Sequence, residues 1–191
     1  MMAKEALIHA NHYQRQGFDY TQSGVILGIT GMGQNLRSPS FRLEEYKWRK
    51  VLKGSNIDER TIENIVAEMK SRHLGWQKKT FPGGLPNFVT ARIAHHFGLG
   101  GCSLAVDAAC ASSLGALKMA MSMLAENRCN MVLTGGIDLS NSPTTFLCFS
   151  KTPAFSPQNM IRPFDASADG TLIGEGIGML VLKRLDDAKA A

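Results

Sequence analysis

The chain has 191 residues, of which 44% are hydrophobic, 19% charged and 7% aromatic. This is the make-up of a globular domain with a sizeable core, and it excludes a disordered or fibrous chain. The formal net charge of +5 leaves room for an acidic partner. The basic residues are dispersed, however, among acidic ones such as Glu44, Glu45, Asp58 and Glu59. Too few aromatics are present for a base-stacking platform, so nucleic acid is not expected as a partner.

In chain order, residues 3–16 have helical spacing, and "GVILGIT" (24–30) is a short apolar strand ending near glycine. Segments 41–52 and 58–73 both read as helices. The second is expected to start at Asp58, with Glu59 near its positive end. "FPGGLPN" (81–87) reads as a loop of turn formers. A helix over "FVTARIAHHFGL" follows, with Gly100 and Gly101 as its expected end. A strand near 103–107 leads into a helix from Cys110 to about Glu126, whose Leu114, Leu117, Met121 and Leu124 fall on one side. Then come a strand "NMVLTGG" (130–136), a helical piece near 143–149, an irregular stretch to 170 and a last strand "GIGMLVLKR" ending at 184. Helix-like and strand-like pieces alternate, which implies an α/β domain on a largely parallel sheet.

The first 16 residues lack the apolar block and cleavage site of a secretory signal, and no apolar run approaches the roughly 18 residues of a membrane span. A cytoplasmic location is the expectation. The four cysteines, Cys102, Cys110, Cys129 and Cys148, form no C-x-x-C pair and have no zinc spacing, so neither a metal site nor a disulfide framework is expected. "GITGMG" (28–33) and "GTLIGEGIG" (170–178) have the wrong spacing for a phosphate-binding loop and read as close backbone crossings.

Cys110 is the candidate functional residue. It sits in "VDAACASSLGAL" (106–117), where an extended run turns into a helix among very small neighbours. A helix N-terminus favours the thiolate, and the thiolate is the nucleophile. The backbone N–H of Cys110 is a candidate oxyanion donor. A buried structural cysteine is the alternative that spacing alone leaves open.

"VDAACASSLGALKMA" resembles the active-site segment of β-ketoacyl synthases, the condensing enzymes of fatty acid and polyketide synthesis. The stretches "NFVTARIAHHFGLGG" (87–101), "MVLTGGID" (131–138), "FSKTPAFSP" (149–157) and "IRPFDASADGTLIGEGIGMLVLKRLDDA" (161–188) agree in the same order. "FPGGLPN" with "FSKTPAFS" is most similar to the ketosynthases of polyunsaturated-fatty-acid and glycolipid synthases. The resemblance implies a thiolase-like fold, layered α/β/α with a mostly parallel sheet. It reads residues 1–191 as a partial domain, mainly the N-terminal half, without the family's first strand and its C-terminal half.

On that resemblance Cys110 takes the acyl chain, and Phe149 lines the acyl pocket. No cofactor is bound directly: phosphopantetheine is carried by the partner, an acyl carrier protein bearing acyl and malonyl thioesters. The full-length protein is expected to be a homodimer pairing through "CSLAVDA". The segment containing Asp165, Asp169, Gly170, Gly174, Glu175 and Gly176 reads as structural. The family's two histidine motifs are not in this sequence. His95 and His96 lie at a place the family does not use for catalysis, and His9 and His12 are expected on the surface. Condensation by this chain alone is therefore not expected, and the surface facing the missing half is expected to be apolar. A non-catalytic ketosynthase-like partner that binds carrier protein is the competing reading.

Overall fold

The computed structural model describes residues 1–30, 37–139 and 141–190, without the side chain of Arg37. The chain divides into two compact units, one formed by 1–30 with 89–191 and the other by 31–88.

The first unit holds a four-stranded sheet in the order β2-β1-β3-β4, with β1 Ser23–Ile29, β2 Ser103–Val106, β3 Met131–Asp138 and β4 Gly176–Leu182. β1 pairs in parallel with β2 and β3, and β4 runs antiparallel to β3. All seven residues of β1 are buried. This is how an apolar run without alternation comes to lie centrally with both faces covered. Helix α1 (Met2–His9) contacts β4. It is much shorter than the expected 3–16, because Asn11 (φ 56°), Gln14 (φ 52°) and Gly17 (φ 73°) adopt left-handed backbone that a helix cannot hold.

The second unit is helical. Its short α2 (Arg37–Phe41) runs into a 3-10 turn at Arg42–Glu44 and then α3 (Glu45–Gly54), so the helix expected over 41–52 is interrupted at its start. α4 (Glu59–Ser71) begins as expected: the Asp58 carboxylate accepts the Thr61 N–H at 3.0 Å and the Thr61 hydroxyl at 2.6 Å. α3 and α4 are laced by charge pairs. Arg49 bridges Glu45 and Glu63, and Lys70 reaches Glu45 at 2.7 Å. These cations hold both carboxylates below their ordinary pKa, chiefly through the hydrogen bonds from Lys70 to Glu45 and from Arg49 to Glu63. Several basic side chains of this segment, among them Lys47, Arg49, Lys53, Lys70 and Arg72, thus find acidic partners within it, while its excess of basic residues remains.

Within "FPGGLPN", expected as a loop, a short helix α5 (Thr80–Gly83) forms and Pro86 opens α6 (Pro86–Phe97). Proline at a first helical position loses no hydrogen bond, so this proline starts a helix rather than a turn. α6 ends at Gly98 (φ 66°), not at Gly100 and Gly101, which instead lie against the backbone of Thr21 and Ser23. The glycines at 31 and 33 lie outside the described residues.

Helix α7 (Ser112–Ala125) packs on β1 and β3. Its buried face is Ser112, Ala116, Ala120 and Leu124, whereas Leu114 is 70% and Met121 54% exposed. Of the expected stripe, Leu124 is packed and Leu117 half-buried, while Leu114 and Met121 face outward. Close approach decides the matter. A Cβ at Gly28 of β1 would lie 2.4 Å from the backbone carbon of Ser112, and one at Gly136 of β3 would lie 2.8 Å from the Ser113 Cβ. Only the small side of the helix fits against glycine in the sheet. Ile26, Val132 and Cys129 join Ala116, Ala120 and Leu124 in this core.

The remaining elements are α8 (Pro143–Lys151), capped by the Ser142 hydroxyl, and α9 (Leu185–Lys189). Among the described residues no helix is long and apolar enough to cross a membrane.

Candidate active site

The junction between β2 and α7 is a tight elbow. After Val106 the chain passes Asp107 and Ala108, turns through a 3-10 segment at Ala109–Ala111, and enters the helix at Ser112. Ala109, immediately before Cys110, has φ 49°, which is uncommon for a residue carrying a Cβ. Three side-chain bonds hold the turn. The Asp107 carboxylate accepts the Ala109 N–H at 3.1 Å. The buried Ser112 hydroxyl accepts the Ala108 N–H at 2.9 Å and donates to the Ala109 carbonyl at 2.6 Å. One serine thus bridges both sides of the reversal. Because Ser112 is anchored over Gly28, the elbow is fixed relative to the central strand.

Cys110 lies on this turn, two residues before the 14-residue α7, and is exposed. Its neighbours Asp107, Ala108, Ala109 and Ala111 are exposed as well. The thiol is therefore at the surface, at the positive end of a helix dipole, and not a core filler. The arrangement can present a sulfur nucleophile to a thioester and N–H groups to the oxyanion that forms.

Phe149 lies on α8, its ring stacked against Phe155 with centroids 5.9 Å apart and planes at 23°; Phe146 packs against Phe155 at 5.8 Å. Among the described residues no hydrogen bond or ring contact joins Phe149 to the Cys110 elbow. The segment after α8 is held by its own polar contacts. Ser156, buried, donates to Asp169 at 2.6 Å, and Asp165 accepts both the N–H and the hydroxyl of Ser167 at 2.7 Å. A Cβ on Gly170 (φ 155°) would lie 2.5 Å from the Ser156 nitrogen, and Glu175 accepts the Asn141 N–H at 3.0 Å. These residues support loop geometry, in line with their structural reading.

His95 and His96 are in the last turn of α6, where His96 packs edge-on against Phe97 at 4.7 Å. His12 departs from expectation: it is 2% exposed, with its ring 4.5 Å from that of Phe18. The chain folds back after α1, with the Tyr20 hydroxyl donating to the His12 carbonyl at 2.6 Å, and this reversal buries the ring. Burial first, then the charges of Lys183 and Arg15, lower its pKa. Among the described residues no group of three or more His, Cys, Asp or Glu side chains could hold a metal ion. Sequence reasoning missed Ser112 as the elbow's latch and the strained backbone of Ala109. The adjacent Ser-Ser pair at the start of the helix was the only available signal.

Residues 1–188 match the family described as β-ketoacyl synthase, N-terminal domain. The chain belongs to the β-ketoacyl synthase family. It is 40% identical over 165 residues to a polyunsaturated fatty acid synthase of Thraustochytrium sp., covering 86% of this chain and 6% of that protein. It is 42% identical over 106 residues to a non-reducing polyketide synthase of Penicillium brevicompactum, covering 56% of this chain and 5% of that one. The chain therefore spans a small part of the length of these relatives. Among solved structures, the ketosynthase from module 6 of the bacillaene synthase of Bacillus subtilis 168 superposes with a TM-score of 0.62 at 24% identity, covering 99% of this chain and 28% of that one. The fold is thus the thiolase-like α/β fold of ketosynthases, with a mixed, mostly parallel sheet.

Proposed function

We propose that this chain is the acyl-accepting portion of a β-ketoacyl-[acyl carrier protein] synthase and that Cys110 is its nucleophile. The observation that carries the reading is the exposed thiol on a latched strand-to-helix elbow, within a chain of this family. The Cys110 thiolate attacks the carbonyl carbon of an acyl thioester borne on the phosphopantetheine arm of a carrier protein. The negative charge moves to the carbonyl oxygen, where the N–H of Cys110 is one donor, and collapse expels the pantetheine thiolate, which takes up a proton. The acyl group is left on sulfur, and Phe149 belongs to the wall along which its chain lies. In the parent protein a malonyl thioester is then decarboxylated and attacks this acyl group in a Claisen condensation, using histidines outside this chain. The setting is cytoplasmic fatty acid or polyketide synthesis, in a homodimer paired through the β2 edge.

The test is incubation of the chain with an acyl thioester of pantetheine, followed by peptide mass spectrometry. The acyl mass is expected on the Cys110 peptide and is expected to vanish in Cys110→Ala. Equal labelling of Cys110→Ala would refute the assignment. If carrier protein binds but Cys110 is never acylated, the chain is a non-catalytic partner instead.

A further inference from the structure

Two of the other cysteines meet across the sheet. Cys102 immediately precedes β2, and Cys129 lies between α7 and β3, yet their sulfurs are 3.8 Å apart. β1 separates those two strands, and the space in which the thiols meet is the bare face of Gly24. A Cβ there would lie 2.6 Å from the Cys102 sulfur and 3.3 Å from that of Cys129. Cys129 is 2% exposed, whereas Cys102 is partly open to solvent. One thiol can therefore be reached from outside, and the second lies directly behind it.

We propose that Cys102 and Cys129 form a dithiol that closes to an intramolecular disulfide when the chain meets a low-molecular-weight disulfide. The Cys102 thiolate attacks one sulfur of the oxidant RSSR, forming a mixed disulfide and releasing RS⁻. The Cys129 thiolate then attacks the Cys102 sulfur, making the internal S–S bond and releasing a second RS⁻. Two protein thiols lose two protons and two electrons, and RSSR is reduced to two RSH. The sulfurs, 3.8 Å apart in the dithiol, must close to about 2.05 Å, and the Cys102 and Cys129 segments flanking Gly24 move together as they do so.

The closed loop, residues 102–129, contains β2, the elbow and α7. The bond would therefore clamp both ends of the segment that carries Cys110 without consuming it. Burial, reinforced by the neighbouring Cys129, pushes the Cys102 thiol up to about 11. Little thiolate exists near neutrality, so the pair answers to sustained oxidising conditions and not to brief exposure. Nothing in this step depends on the acyl-transfer role of Cys110.

The full chain, treated with glutathione disulfide between pH 7 and 10, blocked with N-ethylmaleimide and digested, is expected to yield a Cys102–Cys129 cross-linked peptide. Dithiothreitol should reverse the link, and its rate should rise close to tenfold per pH unit as the thiolate fraction grows. Cys129→Ser should halt at glutathione retained on Cys102, and Cys110→Ala should leave the cross-link intact. Glutathione persisting on Cys102 of the unsubstituted chain without a cross-link would overturn the proposal. So would a pH-independent rate, or loss of the link in Cys110→Ala.

Discussion

Ala109 is where the elbow stores its strain. A left-handed residue with a Cβ costs roughly 1–2 kcal/mol, and a branched Cβ costs more because it crowds the carbonyl that follows. Ala109→Val is therefore expected to lower stability by at least about 1 kcal/mol and to slow alkylation of Cys110, whereas Ala109→Gly should leave both nearly unchanged. Chemical denaturation and iodoacetamide labelling would read the two effects. The buried imidazole of His12 makes a pH prediction. Its pKa is lowered in the folded chain from an ordinary 6.5, so between that value and the lower one the unfolded chain binds more protons. The stability due to neutral His12 is thus complete above about pH 6.5 and is lost as pH falls towards the lowered value. The slope cannot exceed about 1.4 kcal/mol per pH unit, the limit for one proton. Lys183 and Arg15 face the ring and add to the penalty on its charged form. Melting of the chain and of His12→Phe between pH 7 and 5 should diverge, with the substituted chain flatter. Parallel curves would show that the ring protonates without penalty. The turn that carries Cys110 was legible at this scale because small residues and a change from extended to helical spacing mark it. His12 and Ala109 were not, since a buried ring after a chain reversal and a positive φ leave no mark on hydrophobic spacing.

At the scale of elements, most of the sheet and helices were readable because their apolar runs have the right length and period. The burial face of α7 was read only in part, since Leu124 is packed but Leu114 and Met121 are not, and the reason is physical. Hydrophobic size points to Leu114 and Met121, but contact distance to Gly28 and Gly136 selects the serine and alanine side. A pair of glycine substitutions separates these ideas. Gly28→Ala places a methyl 2.4 Å from the Ser112 backbone carbon, a clash that no side-chain rotation relieves. It is expected to destabilise by about 1–3 kcal/mol, as overpacking does, and to displace the elbow, lowering Cys110 acylation. Gly115→Ala adds a methyl 3.6 Å from Val106 Cγ1, an ordinary contact, within α7. It should raise stability by up to about 1 kcal/mol through helix propensity. Thermal melts of both chains check the sign. If Gly28→Ala were neutral, α7 would not be seated on the sheet through that glycine.

For the whole molecule, the α/β class and the mostly parallel sheet followed from the alternation of elements. The separation into two compact units did not, because no linker-like composition marks 31–88. What the molecule leaves uncovered bears on its behaviour in solution. In the unit that holds the sheet, Phe164 is fully exposed, and Leu180 of β4, Phe146 and Leu147 of α8, and Met160 and Ile161 are each about half exposed. β4 is also an edge strand, with Ile177 and Leu180 exposed on it and its other side chains half-buried. Scattered apolar residues are ordinary on a surface, but a concentration on β4, α8 and the segment between them is the pattern of a face that another surface covers. Unpaired backbone along β4 adds a template for further strand pairing. The chain by itself is therefore expected to enhance the fluorescence of a dye such as ANS and to associate with increasing concentration in sedimentation experiments. Phe164→Ser combined with Leu180→Thr should weaken both, with only a modest change in melting temperature, because Phe164 is fully exposed and Leu180 only half-buried. A chain that stayed monomeric and bound no dye would show that these side chains close over one another in solution instead of waiting for a partner surface.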